Sequence, residues 1–287
     1  MKHLFCFGMG YSAQALARRL PDDEWTITGT ARSQEGCKEL EAAGYGCLLF
    51  DGGNTLEIPE TVTHLLISIP PDAEGDVVLR HHRDKIAGLA SNLNWAGYLS
   101  TTGVYGNRDG GWVDESSALE PTTERGRRRV EAERQWLSLF EETGLPLAIF
   151  RLAGIYGPGR NQLLSVAAGK ARRIVKPGQV FSRIHVEDIA SVLEASIAHP
   201  NPGAAYNVCD DEAAPPQDVV AYAAELLGQP APSEIPFKEA EMSPMGRSFY
   251  AESKRVSNER IKSELGVPLK YPNYRVGLKA LAADFGQ

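Results

Sequence analysis

The sequence predicts an α/β fold: a doubly wound parallel sheet with a smaller C-terminal lobe. Three observations carry that expectation. Short apolar runs alternate with helical patterns through the first two-thirds of the chain, the order that lays helices over a parallel sheet. Several of those runs are almost continuously apolar, as strands buried on both faces are. After about Gly154 the texture changes, and Gly157-Pro158-Gly159, Pro177-Gly178, Pro200-Asn201-Pro202-Gly203 and Pro215-Pro216 punctuate the chain.

The first predicted strand, Lys2–Phe7, runs into Gly8-Met9-Gly10-Tyr11-Ser12-Ala13 and then a helix. Ala13, Leu16, Ala17 and Leu20 share one face at helical spacing, and Pro21 follows where the helix stops. Further strands are predicted at Trp25–Thr30, Gly46–Phe50, His64–Ile69, Ala96–Leu99, Leu147–Arg151 and Ala205–Val208. Helices at Glu35–Ala43, Val77–Asn92 and Arg127–Thr143 lie between them. In the last third, a helix over Pro216–Leu227 carries Val219, Val220, Ala223, Leu226 and Leu227 on one side and stops at Gly228. The Pro-rich stretch Gln229–Met245 reads as an irregular loop, and a final helix near Ser257–Leu265 is closed by Gly266. The expected division is a nucleotide-binding core over residues 1–154 and a mixed region over 155–287. The latter returns one strand (about 205–208) to the sheet and supplies the C-terminal substrate lobe. The expected ligand site is a cleft beside the C-terminal ends of the strands.

Bulk properties bound the function. The 287 residues are 43% hydrophobic and 23% charged, a composition typical of soluble globular proteins. A net charge of -7 argues against a nucleic-acid surface. The apolar runs are too short to span a bilayer, and Gly8 interrupts the first of them before a secretory signal could form. Cys6, Cys37, Cys47 and Cys209 are scattered, with no C-x-x-C pair. That pattern predicts reduced thiols in a cytoplasmic protein and no metal site.

The glycine turn has the order a dinucleotide site needs. Gly8 permits a tight turn, Gly10 lets the backbone approach a pyrophosphate, and Ala13 lets the helix pack close to the strand. Tyr11 and Ser12 open the helix, whose first N–H groups face phosphate oxygens. After the second strand, where an acid would hold the ribose of NAD, stands Arg32. A guanidinium there suits the 2′-phosphate of NADP, with Ser33 as a further donor or a helix cap; NAD stays open as an alternative. Asp51 ends the third strand as a turn residue before Gly52-Gly53, and Ser68-Ile69-Pro70 ends the fourth near the expected crevice.

Several motifs together resemble the extended, atypical short-chain dehydrogenase/reductase family, the branch with NAD(P)-dependent epimerases and dehydratases. They are Gly8-x-Gly10-x-x-Ala13, Leu99-Ser100-Thr101-Thr102-Gly103-Val104-Tyr105-Gly106, and Phe150-Arg151-Leu152-Ala153-Gly154-Ile155-Tyr156-Gly157-Pro158-Gly159. Arg183-Ile184-His185-Val186-Glu187-Asp188 and Tyr206-Asn207-Val208 complete the set, which covers nearly the whole chain. The resemblance implies a Rossmann-type sheet and an NAD(P) cofactor, with Asp51 near the adenine amine. It also implies a small hydroxyl or carbonyl substrate, nucleotide sugars among the candidates, and a homodimer contact through outer helices.

The family's chemistry uses a Tyr-x-x-x-Lys pair at a helix start, with a Ser or Thr polarising the same substrate oxygen. Here those two positions hold Arg125 and Arg129, while the Ser/Thr partner survives as Ser100 or Thr101. A guanidinium does not titrate at any working pH, so Arg125 can donate hydrogen bonds and positive charge but cannot exchange a proton. Arg125 and Arg129 share a helix face, where Arg129 can hold ribose hydroxyls and Arg125 an anionic group or a developing oxyanion. Surface ion pairs with Glu131, Glu133, Glu141 and Glu142 are the plainer reading. Tyr105 is a substitute proton donor or a pocket wall, and Tyr156 stands in the same position. His185 reads first as a packing or hydrogen-bonding residue, and Asp188 as the brace of the following helix. Lys170, Arg172, Arg173, Lys176 and Arg183 form a basic cluster that suits an anionic substrate or a solvated face. Gly169-Lys170 lacks the upstream glycine of a nucleotide-triphosphate loop. The expected functions are an oxidoreductase or isomerase acting by hydride transfer, a lyase without net redox change, or a non-catalytic NADP(H) sensor.

Overall fold

The structure is a computed structural model and describes residues 1–285. In chain order the elements are β1 (Lys2–Phe7), α1 (Tyr11–Ala17), β2 (Trp25–Ala31), α2 (Gln34–Ala42), β3 (Gly46–Leu49), β4 (His64–Ile67), α3 (Val77–Leu89) and β5 (Trp95–Thr101). Then come β6 (Trp112–Val113), α4 (Glu124–Thr143), β7 (Leu147–Leu152), β8 (Gly154–Tyr156), α5 (Gln162–Ala167), β9 (Arg173–Val175), β10 (Arg183–His185), α6 (Val186–Ala198) and β11 (Ala205–Val208). The chain continues through α7 (Pro216–Leu226), β12 (Glu234–Pro236), α8 (Pro244–Phe249), β13 (Arg255–Val256), α9 (Glu259–Ser263) and α10 (Tyr274–Ala283).

Among the described residues, seven strands form one parallel sheet in the order β11-β7-β5-β4-β1-β2-β3. The chain runs from β1 outward through β2 to β3, then returns to the other side of β1 with β4. The crevice outside the carboxyl ends of β1 and β4 is therefore the topological switch point, where open α/β sheets bind ligands. The register places Phe7 opposite Ile67. The Gly8 turn and the Ser68-Ile69-Pro70 segment thus leave the sheet side by side.

Two compact units are built from interleaved stretches. Met1–Thr101, Arg127–Arg151 and Ile189–Tyr206 form the first; Thr102–Gly126, Leu152–Asp188 and the residues from Asn207 onward form the second. The first unit's core gathers Phe5, Phe7, Phe50, Ile67, Tyr98 and Trp136, all at most 1% exposed. Each such side chain contributes roughly 1.5–3 kcal/mol by burial. His82 belongs to this core: its ring lies 5.0 Å from that of Phe7 and 5.2 Å from that of Phe50, and its Nε2 accepts from the Leu56 N–H at 2.8 Å. The second unit's core joins Leu163 and Val166 of α5, Val219, Val220 and Ala223 of α7, and Tyr274 and Leu278 of α10.

Three differences from the sequence reading have physical causes. The stretch Gln229–Met245 is not wholly irregular, because β12 pairs with β9 and sets Ile235 opposite Ile174. A single isoleucine flanked by prolines gives no alternation to read. The helix α10 is absent from the sequence reading; its cap is Asn273, whose side chain accepts from Arg275 and Val276 N–H groups. The third correction concerns the thiols. Cys37 and Cys47 form a disulfide, with Cα atoms 5.3 Å apart. Cys37 is buried under α2, and the turn at Gly44 (φ +89°) carries the chain back so that β3 brings Cys47 to it. Turn geometry made this pair, so no spacing motif announced it. Cys6 and Cys209 are buried thiols. No helix of the described residues is long and apolar enough to cross a membrane.

Candidate functional site

The glycine turn is fixed from below and open above. Gly8 has φ +83°, and a Cβ there would stand 2.8 Å from Ile69 Cγ1. Its N–H donates to Thr30 Oγ1 at 2.8 Å, and the Met9 N–H donates to the Thr30 carbonyl at 3.0 Å. Thr30, only 2% exposed, is a positioning residue that the sequence reading missed. The one available signal was a hydroxyl at the end of β2, beside the turn. Gly10 differs: its backbone is extended (φ −89°, ψ −162°), and it caps α1 without a side-chain bond. A Cβ at Gly10 would meet nothing within 4 Å. The protein's own packing does not require glycine there, but a backbone-hugging ligand would. Ser12 and Ala13 are buried and seat α1 on the sheet, while Tyr11 is half-buried.

This contrast gives an expected result. Gly8→Ala forces a side chain into the left-handed region and against Ile69, and costs about 1–3 kcal/mol of stability. Gly10→Ala changes the stability of the ligand-free protein by no more than about 1 kcal/mol. Thermal denaturation of the two variants without ligand checks both.

Arg32 follows β2 and is exposed, with no hydrogen bond or ion pair among the described residues. Ser33 is the N-cap of α2, its Oγ accepting from the Gly36 N–H at 3.2 Å. Asp51 is exposed, and its Oδ1 accepts from the Gly53 N–H at 2.9 Å, which is the turn role. Ser68 donates its N–H to the Phe7 carbonyl at 2.9 Å; Ser68 and Ile69 are half-buried and Pro70 is exposed. The cofactor-binding candidates of β1, β2 and β4 are thus brought to one switch point, with Asp51 after β3 at the sheet edge.

The sequence treats Ser100 and Thr101 alike; the structure separates them. Ser100 is 4% exposed, and its hydroxyl donates to the Glu133 carboxylate. Arg151 clasps the same carboxylate, with Nη2 at 2.8 Å and Nε at 3.2 Å. Glu133 and Arg151 are themselves 1% and 5% exposed. Ser100 is therefore one corner of a buried ion-pair network, while Thr101, at the end of β5, is half-buried. Arg129 is also engaged: its Nη1 donates to the Leu99 carbonyl at 2.7 Å and to the Tyr98 hydroxyl at 3.1 Å.

In the second unit, Tyr105 is fully buried, and its hydroxyl donates to Asn207 Oδ1 at 2.7 Å. Arg125 is exposed, its guanidinium carbon 5.7 Å from the centre of the Phe249 ring. Tyr156 is packed against α10, where a Cβ on Gly277 would overlap its hydroxyl at 2.1 Å. His185 lies between Tyr156 and Tyr271, with ring centres 5.1 and 3.9 Å away. Burial, helped by the Lys270 charge, pushes its pKa down to about 4, so it is neutral at physiological pH. The Asp188 carboxylate accepts from the Lys270 and Tyr271 N–H groups at 2.7 and 3.0 Å. Its brace is thus to a later segment, not simply to α6. The basic cluster is largely occupied: Arg172 donates to the Glu241 carbonyl, Lys176 to the Tyr250 carbonyl, Arg173 pairs with Glu234 at 3.1 Å, and Arg183 donates to the Phe181 and Ala214 carbonyls. Lys254, which the sequence reading passed over, is buried and donates to the Gly106 carbonyl and to Glu252, both at 2.7 Å.

Asp210 carries a pH signature. It is 2% exposed, its Oδ2 has no hydrogen-bond partner among the described residues, and burial raises its pKa to about 8, against the opposing pull of Arg183. The folded protein holds a proton there that the unfolded chain, with the ordinary value of 3.8, has released. Stability from this group is therefore lost as pH rises from about 4 to about 8. Asp210→Asn keeps the neutral shape. Its melting temperature should overtake that of the parent by several degrees between pH 5 and pH 9, as read by thermal scans across that range.

The sequence pattern of the NAD dependent epimerase/dehydratase family matches residues 87–209. The matched stretch, from the end of α3 through β11, resembles that family. Protein YeeZ of Escherichia coli strain K12 is 28% identical over 286 residues, spanning 95% of this chain and 97% of its own. A solved structure from Silicibacter pomeroyi, described as a functionally unknown conserved protein, is 56% identical with a TM-score of 0.93 and full coverage of both chains. A human epimerase family protein solved with NADPH shares the fold at 16% identity, TM-score 0.72, over 99% of this chain and 100% of its own.

Set against the family resemblance drawn from the sequence, the helix start of α4 is the point of departure. Where family members carry the proton-exchanging pair, this chain presents Arg125, stacked on Phe249, and Arg129, tied to β5. Beside them stand the Gly8 turn at the switch point, the half-buried Thr101 and the buried Glu133–Arg151 pair.

Proposed function

We propose that this chain is an NADP(H)-binding oxidoreductase or isomerase of the epimerase/dehydratase type, acting by hydride transfer on a small hydroxyl or carbonyl compound. The observation that carries the reading is an exposed, unpaired Arg32 at the switch point, beside a Gly10 whose missing side chain the protein itself does not need. Gly8 makes the tight turn and Gly10 lets the backbone approach the pyrophosphate, and Arg32 selects the 2′-phosphate. When bound, the nicotinamide supplies or accepts the hydride. Thr101, half-buried at the end of β5, orients the substrate oxygen, while the Ser100 hydroxyl donates to Glu133. Arg129 braces β5 near that oxygen; Arg125 is a fixed positive charge of the kind that suits an anionic group or a developing oxyanion. Solvent carries the proton, since neither arginine can exchange one and the Tyr105 hydroxyl is committed to Asn207.

A specific observation favours a second reading. Both positions of the family's proton-exchanging pair are arginine, and the two candidate substitutes, Tyr105 and Tyr156, are packed in the interior. A protein so built can bind NADP(H) and report its state without turnover.

Thermal denaturation with NADPH, NADH and no ligand tests the shared claim. A ligand at about a hundred times its dissociation constant adds roughly 2.7 kcal/mol, or about 5–10 °C for a chain of this size. The larger shift is expected with NADPH, and Gly10→Ala should abolish most of it. No shift with either nucleotide contradicts the reading. A screen of hydroxyl and carbonyl compounds, followed by the absorbance of the reduced nicotinamide, separates enzyme from sensor. Activity lost in Thr101→Ala supports the enzyme.

A further inference from the structure

We infer that Cys37 and Cys47 form a reversible redox modification site that governs how firmly the Arg32–Ser33 segment grips the phosphorylated ribose of the cofactor. The inference rests on the NADP(H) reading above. The pair spans 10 residues and ties α2 to β3, the edge strand of the sheet. Helix α2 packs on β2 and β3. Cys37 and Leu40 are its buried residues, so the crosslinked side chain is one of the two that seat the helix. The same helix begins at the phosphate end of the crevice. Ser33 caps it, and the Cys37 N–H donates to the Ser33 carbonyl at 3.0 Å. Arg32 is the next residue back along the chain. A covalent tie at Cys37 therefore holds the backbone that aims Arg32, one helical turn away.

The chemistry singles out one sulfur for attack. Cys6 and Cys209 are 0% exposed and burial pushes both thiols up, so neither competes as a thiolate. Cys37 is 6% exposed, whereas Cys47 is half-buried on the edge strand. A small thiol such as glutathione attacks Sγ of Cys47 as its thiolate. The Cys37–Cys47 bond breaks, and Cys37 leaves as a thiolate that takes a proton from solvent. A second glutathione thiolate then attacks the glutathione sulfur of the mixed disulfide, and Cys47 leaves and is protonated. The protein disulfide gains two electrons and two protons; two glutathione molecules become one glutathione disulfide. Glutathione disulfide drives the reverse.

Reduction leaves α2 held by packing alone and loosens the Arg32 end. The NADPH dissociation constant should then rise at least about fivefold, a coupling at the low end of those seen between linked sites. The test uses the full chain with no mutation: thiol titration in denaturant, and NADPH titration of the native protein, each after glutathione disulfide and after dithiothreitol. Two thiols and tight binding in the oxidised form, against four thiols and weaker binding in the reduced form, support the switch. Cys47→Ser should bind NADPH at the reduced value whatever the redox treatment. Four thiols after oxidation, or equal affinity in both forms, overturns the switch while leaving the cofactor reading intact. Two thiols with no NADPH binding in either form overturns the cofactor reading, and the switch with it.

Discussion

Glu133→Ala should lower the melting temperature by roughly 10 °C. The substitution removes a carboxylate 1% exposed and leaves the Arg151 guanidinium, 5% exposed, without its counter-charge. Breaking one side of a buried pair typically costs about 3–5 kcal/mol, and each kcal/mol moves the midpoint of a chain of this size by about 2–4 °C. The loss is structural as well as electrostatic. Glu133 sits on α4, Arg151 on β7 and Ser100 on β5, so one carboxylate ties a helix to two strands. The double variant Glu133→Leu with Arg151→Met should recover much of the loss, because it removes both charges and keeps apolar volume. Thermal scans of the single and double variants make the cycle. A single-variant loss under about 1 kcal/mol would mean that the pair is solvated and tolerates being broken.

Arg32→Asp should invert the preference between the two nicotinamide cofactors. Charge-assisted hydrogen bonds from a guanidinium to phosphate contribute about 1.5–3 kcal/mol, so their loss weakens NADPH binding by roughly 10- to 150-fold. The new carboxylate also repels the 2′-phosphate and can accept from ribose hydroxyls instead, which helps NADH. The ratio of the two dissociation constants should therefore move by about a hundredfold or more. Because Arg32 is exposed and makes no contact that stabilises the fold, the variant's ligand-free melting temperature should stay within about 2 °C of the parent. Fluorescence titration of parent and variant with both nucleotides reads the inversion directly. An unchanged ratio would make Arg32 a bystander.

The nucleotide end of the fold was legible in the chain because local rules write it. Lys2–Phe7 is wholly apolar after His3, Gly8 takes a positive φ, and Pro21 follows the first helix, so strand, turn and helix stand where the residues put them. The proline pair at Pro70-Pro71 likewise ends β4, two residues earlier than the apolar run suggested. What sequence could not reveal depends on contacts across the chain. Thr30 matters only because β2 lies beside β1, and Glu133 is indistinguishable from its neighbours Glu131 and Glu141 until α4 docks and one acid turns inward. Ser100 and Thr101 are adjacent in sequence and differ only in which face of β5 each occupies. Cys37 and Cys47 are joined by the return of the chain at Gly44, which no motif records. Tyr105 shares this difficulty, since it belongs to a short turn of helix with little periodicity, whereas Arg125 stands at the start of α4, two residues before the helix that the sequence predicts.

A crystal structure of the oxidised protein grown with NADPH tests the central claim most directly. The account predicts the pyrophosphate against the backbone at Gly10 and the 2′-phosphate within hydrogen-bonding distance of the Arg32 guanidinium. Density for NADPH elsewhere on the molecule, or a ribose phosphate pointing away from Arg32 into solvent, would contradict it.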